Sequence, residues 1–504
     1  MSVSWSTNAE FDTGFKLNVT DLAVADQLQL LPPSTPGPMP VLRALAPAVS
    51  DGAPLNFVGN MVYVDTNTGA ILGRYRTMPK NGTGANTDTV FSNAQSCWVD
   101  LYGNVWVADG LAHAPPASGV TGGVLTKIGI IIGGTRCDAP SGTPNPNGLY
   151  LKPPFTYNSG VADRDGDGLI RTFNPASETV ALPWVNATDI NGGTDAHTQD
   201  NVDDAILLLQ RLTGAEAGGV CTQGSSNPPE NVWALTADTV NLLPTDQARQ
   251  VDIIDNLTGG IAQTISPDIS PAGTDKGGWC SVIDSHNVLW SSTRDGTLVR
   301  APLPYSTGTA TVITPTNCLS AGSAICVAAD GTIWLWGDRN PDGPTPCSLW
   351  HFTAAGVQIG AEIGVFNGFD ERAICCRYQD GSLWMTGTHE LFHCDSAGVL
   401  TGPNIGFGAG IIKDISGVGN PAQYSYRSVD IDSNGKVWVL RDRSVSGNVV
   451  AYDALRINPT THAVELTISL LPCLGNVTRN TGMTGNARLG SSIPQGFWDV
   501  VKDL

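Results

Sequence analysis

Charged side chains are scarce in this chain. Asp, Glu, Lys and Arg make up 14% of its 504 residues, whereas about 25% is usual in soluble domains. Thr, Ser, Asn and the 58 glycines must therefore cover much of the surface, a composition typical of secreted or particle-associated β proteins. The charges that are present sum to −19, so the chain repels phosphate backbones and anionic lipids and attracts divalent cations. We expect neither a nucleic-acid partner nor a membrane partner.

Long apolar runs are also missing. The longest, such as 128–132, are too short for a transmembrane helix. Residues 1–7 contain no basic segment followed by an apolar core, so no secretory signal is predicted. An extracellular location would then require a signal removed upstream or another route, such as release inside a virus particle.

Paired metal-binding cysteines are absent as well. The 11 cysteines include no C-x-x-C pair, which argues against a thiolate metal site. Four cysteines precede a repeated Gly-Trp phrase, each on the strand before it, where a thiol acts as a small buried hydrophobe. These four are Cys97, Cys280, Cys326 and Cys376. Disulfides among other cysteines stay open at this point, for example among Cys137, Cys221, Cys347 and Cys473.

One short phrase recurs along the chain: a tight Asp-Gly or Asn-Gly turn followed by an apolar strand that carries an aromatic residue. A clear copy is 330–334, Asp-Gly-Thr-Ile-Trp. The Asp-Gly or Asn-Gly pair supplies the positive φ of a tight hairpin, and the apolar-aromatic run behind it is typical of a strand. Seven copies, some of them loose, place an aromatic residue at the same point of the phrase. These residues are Tyr63, Trp106, Trp233, Trp290, Trp334, Trp384 and Trp438.

The spacing of the copies indicates an architecture. Successive aromatic residues are 43, 127, 57, 44, 50 and 54 positions apart. Repeats of about 40–50 residues that contain several short strands are the signature of β-propeller blades, and helical periodicity is almost absent. The sequence therefore predicts an all-β, seven-bladed β-propeller in which the seven aromatic residues occupy equivalent blade positions. The gap of 127 predicts a large insertion after the second blade.

The repeat divides the chain into three parts. Residues 1–54 supply N-terminal strands and a proline-rich segment, 31–49, that we expect to run extended over the surface. Residues 55–458 form the propeller, with 129–229 as its insertion. Residues 459–504 add C-terminal strands that close the ring or pair with the N-terminal strands.

Several blade phrases carry a more specific likeness. They are 73–77 (Gly-Arg-Tyr-Arg-Thr), 99–108 (Val-Asp-Leu-Tyr-Gly-Asn-Val-Trp-Val-Ala), 125–128 (Leu-Thr-Lys-Ile) and 428–439. In these phrases the chain resembles the streptogramin (virginiamycin B) lyase-like propellers, over roughly residues 55–458 apart from the insertion. The resemblance implies a seven-bladed propeller. Because many propellers without lyase activity share such phrases, it implies a fold more than an activity, and none of the family's catalytic residues transfers to a position of this chain.

The insertion contains a calcium-type loop with the sequence D-R-D-G-D-G-L. Carboxylates at alternate positions converge on one hard cation, the glycine permits a sharp turn, and a backbone carbonyl adds a further ligand. The loop predicts a structural calcium ion held by Asp163, Asp165, Asp167 and the carbonyl of Leu169. At the twelfth position Asn174 replaces the usual glutamate, so another residue must supply that ligand. The alternative is a solvated acidic turn.

Two further segments need an interpretation. Residues 203–212 fit either a short helix or an apolar strand. Residues 389–393 match the zinc-protease pattern H-E-x-x-H, which requires both histidines on one face of a helix. This copy follows a Gly-Trp phrase, where a strand is expected, and on a strand the two histidines would lie about 13 Å apart. We interpret the match as chance.

Three functions fit these observations. The first is a non-catalytic structural or adhesive propeller in a virion, as a phage capsid decoration or tail component, or in another extracellular assembly. Its partners would be other protein subunits of the assembly, and a cell-surface glycan is a further candidate. The alternatives are a streptogramin lyase-like enzyme and a secreted carbohydrate-binding propeller. The low charge, the missing signal and the absence of a repeated His/Glu pattern, a G-x-S-x-G motif or a P-loop favour the first function.

Overall fold

The fold was analysed in a computed structural model of the chain. The structure describes residues 20–21, 29–30, 41–50, 57–76, 94–99, 105–109, 124–128, 131–137, 150–157, 170–171, 206–211, 216–222, 231–237, 249–255, 261–265, 278–284, 286, 288–293, 296–302, 310–318, 320–328, 330–338, 347–366, 373–387, 390–401, 412–413, 424–432, 434–445, 448–470 and 483–484. Every regular element in these ranges is a β-strand. They contain no helix with the length and apolarity needed to cross a bilayer.

The strands follow one another in chain order. They are β1 (Thr20–Asp21), β2 (Gln29–Leu30), β3 (Val41–Ser50), β4 (Phe57–Asp65), β5 (Ile71–Arg76), β6 (Ala94–Val99), β7 (Val105–Asp109), β8 (Val124–Ile128), β9 (Ile131–Cys137), β10 (Tyr150–Tyr157), β11 (Ile170–Arg171), β12 (Ile206–Arg211), β13 (Glu216–Thr222), β14 (Asn231–Ala237), β15 (Arg249–Asp255), β16 (Ile261–Ile265), β17 (Gly278–Ile283), β18 (Leu289–Thr293), β19 (Leu298–Ala301), β20 (Thr311–Ile313), β21 (Ser320–Val327), β22 (Ile333–Asp338), β23 (Cys347–Phe352), β24 (Ile363–Phe366), β25 (Ala373–Cys376), β26 (Leu383–Thr386), β27 (Glu390–Cys394), β28 (Ile412–Lys413), β29 (Tyr424–Ile431), β30 (Val437–Val445), β31 (Asn448–Ile457), β32 (Val464–Ser469) and β33 (Met483–Thr484).

Most of these strands belong to four-stranded antiparallel sheets. The described part of the chain contains seven such sheets, numbered here with their strands in spatial order: sheet 1 (β33-β3-β4-β5), sheet 2 (β6-β7-β8-β12), sheet 3 (β13-β14-β15-β16), sheet 4 (β17-β18-β19-β20), sheet 5 (β21-β22-β23-β24), sheet 6 (β25-β26-β27-β28) and sheet 7 (β29-β30-β31-β32). In sheets 3 to 7 each strand pairs with the next strand of the sequence, which is the connectivity of a propeller blade. Strands β1 and β2 form a separate pair, and β9 to β11 form a separate three-stranded sheet.

The first strand of each sheet contacts the first strand of a neighbouring sheet. These contacts run from β6 to β13, β17, β21, β25 and β29 in turn, and β33 contacts both β29 and β6. The apolar core lies between consecutive sheets: Val62 and Val64 of sheet 1 share one buried cluster with Trp438 and Leu440 of sheet 7. The chain therefore has a β-propeller-type repeat fold, as the repeated phrase predicts.

Sheet 1 differs from the sequence prediction. Residues 41–50, from the segment expected to run over the surface, form β3 within this sheet, and Arg43 pairs with Tyr63. Tyr63 therefore lies on the third strand, whereas the six tryptophans lie on the second strand of their sheets, so the predicted equivalence is wrong for Tyr63. The physical reason is that pairing with β3 satisfies the backbone hydrogen-bonding groups along one edge of β4. At the other end of the chain, Met483–Thr484 pair with β3.

The chain between the second and third aromatic repeats is divided among three sheets. Strand β12, from the segment that fits a helix or a strand, pairs with β8 as the fourth strand of sheet 2. Strand β13 pairs with β14 as the first strand of sheet 3. The separate sheet of β9 to β11 lies between β8 and β12 in the sequence. The additional segment is therefore inserted between the third strand of sheet 2, β8, and its fourth strand, β12, and not after the fourth strand.

Candidate functional site at the junctions between sheets

The predicted turn before each tryptophan strand is confirmed where the structure describes it. Gly331, Gly381 and Gly435 adopt φ values of +81°, +73° and +71°. These values lie in the left-handed region that glycine enters without steric cost. Strand β22 begins at Ile333, immediately after the turn that contains Gly331.

An aspartate in this turn fixes the tryptophan in two of the sheets. In sheet 7, Oδ1 of Asp432 accepts backbone N–H bonds from Asn434 and Lys436, both at 2.9 Å. Its Oδ2 accepts the indole N–H of Trp438 at 2.8 Å. Asp284 does the same for Trp290 in sheet 4, at 2.9 Å. Burial raises the pKa of Asp432, against the lowering effect of these hydrogen bonds. Both oxygens of each carboxylate thus accept hydrogen bonds from the protein itself and stabilise the turn.

Each of five tryptophans pairs across the sheet with a cationic or imidazole side chain on the third strand. The Cα partners are Trp106 with Lys127, Trp290 with Arg300, Trp334 with His351, Trp384 with His393 and Trp438 with Arg456. His351 stacks on Trp334 with ring centroids 3.8 Å apart. These pairs are not evident from the sequence, because the partner follows its tryptophan at no fixed interval and only the third strand of each sheet identifies it.

The turn that follows the third strand of one sheet contacts the preceding sheet. It does so at the cationic side chain that pairs with the tryptophan of that sheet. In sheet 5 the carbonyl of Ala354 accepts a hydrogen bond from Nε of Arg300 in sheet 4, at 2.9 Å. In sheet 1 the carbonyl of Thr66 accepts one from Arg456 of sheet 7, at 2.6 Å. We call each such contact a junction. Junctions use the polar atoms of the third-strand residue to fasten neighbouring sheets together.

The residue with positive φ in these turns lies against the preceding sheet. It is glycine in the turns of sheets 1, 5 and 6, where a Cβ atom would meet side chains of the preceding sheet at 2.7 to 2.8 Å. The three glycines are Gly69, Gly356 and Gly398. In sheet 7 the corresponding turn contains His462, with φ of +58°. The junction between sheets 6 and 7 is therefore built differently from the others that the structure describes.

Two histidines meet at the junction between sheets 6 and 7. Nδ1 of His393 lies 2.9 Å from Nε2 of His462 and 2.7 Å from the hydroxyl oxygen of Thr401. His393 also stacks on Trp384, with centroids 4.2 Å apart. Burial, and then the neighbouring His462, lower the pKa of His393 to about 4. Both rings are therefore neutral near pH 7, and their nitrogens are available as hydrogen-bonding partners or as metal ligands.

The H-E-x-x-H match falls on strand β27, Glu390–Cys394, which confirms the predicted strand. His393 is the second histidine of the match, while His389 lies outside the described residues. Glu390 is buried. The predicted calcium ligands Asp163, Asp165, Asp167 and Leu169 also lie outside the described residues. Within the described ranges, no group of three or more His, Cys, Asp or Glu side chains could hold a metal ion.

A second feature is a small, partly open cavity of about 20 Å³ beside the first strands of four sheets. Its wall includes Trp98 of β6 and the four cysteines Cys280, Cys326, Cys375 and Cys376. The cysteines predicted to precede the tryptophan phrase, Cys97 among them, do lie on the first strands. Three of the four are buried and Cys280 is half-buried, which fits the predicted role as small hydrophobes.

Comparisons with known proteins give structural similarity without sequence similarity. No family model matches the chain, and no curated protein matches it. A protein from Bacteroides uniformis, provisionally assigned as a 6-phosphogluconolactonase, is 10% identical with a TM-score of 0.43, over 88% of this chain and 100% of that chain. A Lactobacillus plantarum protein gives 12% and 0.44, over 88% and 98% of the two chains. A protein of unknown function from Desulfotomaculum acetoxidans gives 9% and 0.45, over 86% and 98%. Similarity at this level carries no functional argument, and the streptogramin lyase-like resemblance stays a hypothesis.

Proposed function

We propose that the chain is a closed seven-bladed propeller whose blades are sheets 1 to 7. The pairing of β33 with β3 supports closure, because strands from the two ends of the chain then share one blade. The contacts of β33 with both β29 and β6 support it further. In this arrangement the chain between β8 and β12 is the insertion, and a calcium ion bound by Asp163, Asp165, Asp167 and the Leu169 carbonyl stabilises it.

We further propose that this propeller is a non-catalytic structural or adhesive component of a virion or another extracellular assembly. The observation that carries the proposal is a row of exposed valines along one edge of successive sheets. Val357 in sheet 5 and Val399 in sheet 6 directly follow the positive-φ glycine of their turns and are 63% and 59% exposed. In sheet 7 the corresponding residue is Ala463, and the next residue, Val464, is 44% exposed.

Single exposed valines are ordinary, but Val357 and Val399 occupy corresponding positions in two consecutive sheets, which places them along the same edge. A protein subunit packed against this row would bury apolar surface. It would also have few ions to desolvate, because charged residues are 14% of the chain. The other polar residues of the repeat, such as Asp432 and Arg456, are already engaged in turns and junctions. The repeat is thus built for a rigid surface that a partner binds.

The test is recovery with native particles. Particles purified with the wild-type chain should contain it in a fixed stoichiometric ratio to the other subunits. Replacing Val357 and Val399 together by lysine should release the chain from the particles without changing its own melting temperature. Replacing Val312 by lysine should leave the ratio of this chain to the other subunits unchanged, because Val312 is a 39% exposed valine on β20 outside the row. A free monomer that opens the ring of a streptogramin would instead support the enzymatic alternative.

A further inference from the structure

His462 occupies a backbone conformation that favours glycine. Its φ of +58° places it in the left-handed region, which costs an L-residue about 1–2 kcal/mol. The corresponding position is Gly356 in sheet 5 and Gly398 in sheet 6. A strained residue at a position where glycine would fit points to a role for its side chain. That side chain extends across the junction to His393.

The polar atoms at this junction outnumber the protons that can join them by hydrogen bonds. Nδ1 of a neutral imidazole either donates one proton or accepts with one lone pair. Nδ1 of His393 nevertheless has two partners, Nε2 of His462 at 2.9 Å and the Thr401 hydroxyl at 2.7 Å. That hydroxyl also has the His393 carbonyl as an acceptor, at 3.0 Å. Two nitrogen atoms and one oxygen atom thus lie close together, whereas one linear hydrogen bond joins only two atoms.

A shared ion would satisfy all three atoms. Imidazole nitrogens bind Zn²⁺ at about 2.0–2.1 Å, so two nitrogens on one tetrahedral ion lie about 3.3 Å apart. The His393 and His462 nitrogens lie 2.9 Å apart, so they would need to separate by about 0.4 Å to share one ion. Imidazole is a preferred ligand of Zn²⁺, Cu²⁺ and Ni²⁺, whereas Ca²⁺ and Mg²⁺ prefer oxygen. We propose that His393 and His462, with the Thr401 hydroxyl, bind one divalent transition-metal ion that fastens sheet 6 to sheet 7.

The surroundings of the pair suit this role. The stack on Trp384 fixes the orientation of the His393 ring, as the partners around metal ligands commonly do. The carboxylates of Asp380 and Asp395 lie near enough to His393 to favour positive charge there, and Arg377 opposes them. Arg377 is paired with Asp380, and His462 also opposes positive charge on the His393 ring. Water molecules would complete the coordination, since the protein offers three ligand atoms.

The experiment is metal binding by the intact chain. Zn²⁺ is titrated into the wild-type protein by calorimetry as the only transition metal. Excess calcium is present so that the acidic loop of Asp163, Asp165 and Asp167 does not bind the zinc. We expect one equivalent that His462→Gly and His393→Phe each remove. Removing a residue that only orients a metal ligand lowers metal affinity by roughly 10–100-fold. Removing a ligand itself should lower zinc affinity by at least this factor. Both variants should fold, because glycine restores the residue of the sister turns and phenylalanine keeps the ring stacked on Trp384.

A control and a spectroscopic measurement complete the test. His286→Ala removes an exposed histidine that lies in a turn of sheet 4, and it should leave the zinc equivalent intact. With Cu²⁺, electron paramagnetic resonance should show coupling to two imidazole nitrogens in the wild type and to one in His462→Gly. Equal zinc affinity in the wild type and His462→Gly, or an unchanged copper spectrum, would overturn the proposal and leave a hydrogen-bonded histidine pair.

Discussion

Replacing Asp432 by alanine should destabilise sheet 7 by about 3–5 kcal/mol. Its carboxylate accepts two backbone N–H bonds and the buried indole N–H of Trp438, all at 2.8 to 2.9 Å. A hydrogen bond to a charged group contributes about 1.5–3 kcal/mol net, and an abandoned buried donor costs about 1–3 kcal/mol. The sum is reduced because burial of the carboxylate is itself unfavourable, as its raised pKa indicates.

The matched control is Asp395→Ala. Oδ1 of Asp395 accepts backbone N–H bonds from Ala397 and Val399, at 2.9 and 2.8 Å. This turn is exposed, and no indole bond to Asp395 is seen in the described residues, so water can replace the lost acceptor. Because water screens this exposed carboxylate, its loss should cost about 0.5–1.5 kcal/mol, less than the loss of a buried charged acceptor. Asp284→Ala, which breaks the same three-donor arrangement in sheet 4, should resemble Asp432→Ala.

The assay is urea unfolding monitored by tryptophan fluorescence, together with amide hydrogen exchange. A chain of 504 residues need not unfold in one step, so exchange of the β30 amides reports the local effect. We expect faster exchange in β30 for Asp432→Ala and no change there for Asp395→Ala. If the two variants lose the same stability, the carboxylate–indole bond adds nothing to the fold, and the reasoning is refuted.

Three further predictions concern glycine packing, acid stability and calcium. Gly398→Ala should destabilise the protein more than Gly331→Ala. Both glycines have φ of +81°, but an added Cβ meets Ile363 at 2.8 Å at position 398 and open space at position 331. Equal melting temperatures of the two variants would contradict this. Burial lowers the pKa of His351, so its contribution to stability is complete above about pH 6.5 and falls as the pH drops through the lowered value. His351→Phe should therefore lose less stability than the wild type between pH 7 and pH 4 in paired urea titrations. Chelation of calcium should speed proteolysis within 129–229 before the sheets unfold, with a stabilisation of about 2.7 kcal/mol at a hundredfold excess of calcium over its Kd; unchanged proteolysis would leave an acidic turn.

The sequence by itself determined the local features of this protein. The positive φ of Gly331 and the start of β22 depend on residues within one turn, so a short phrase suffices to predict them. The burial of Trp334 and Trp384 follows from apolar strands around them. The strand at 390–394 was likewise predictable, because it follows a tryptophan strand at hairpin distance.

Only the tertiary structure decided the pairings between distant segments. Tyr63 belongs to the same phrase as the tryptophans, yet its strand is third because β3 enters sheet 1 from the N-terminal side. Strand β12 returns to β8 after the separate sheet of β9 to β11. His393 and His462 are 69 residues apart and meet through the packing of sheet 7 on sheet 6. Such contacts depend on which strands lie side by side, and local propensity contains no information about that choice.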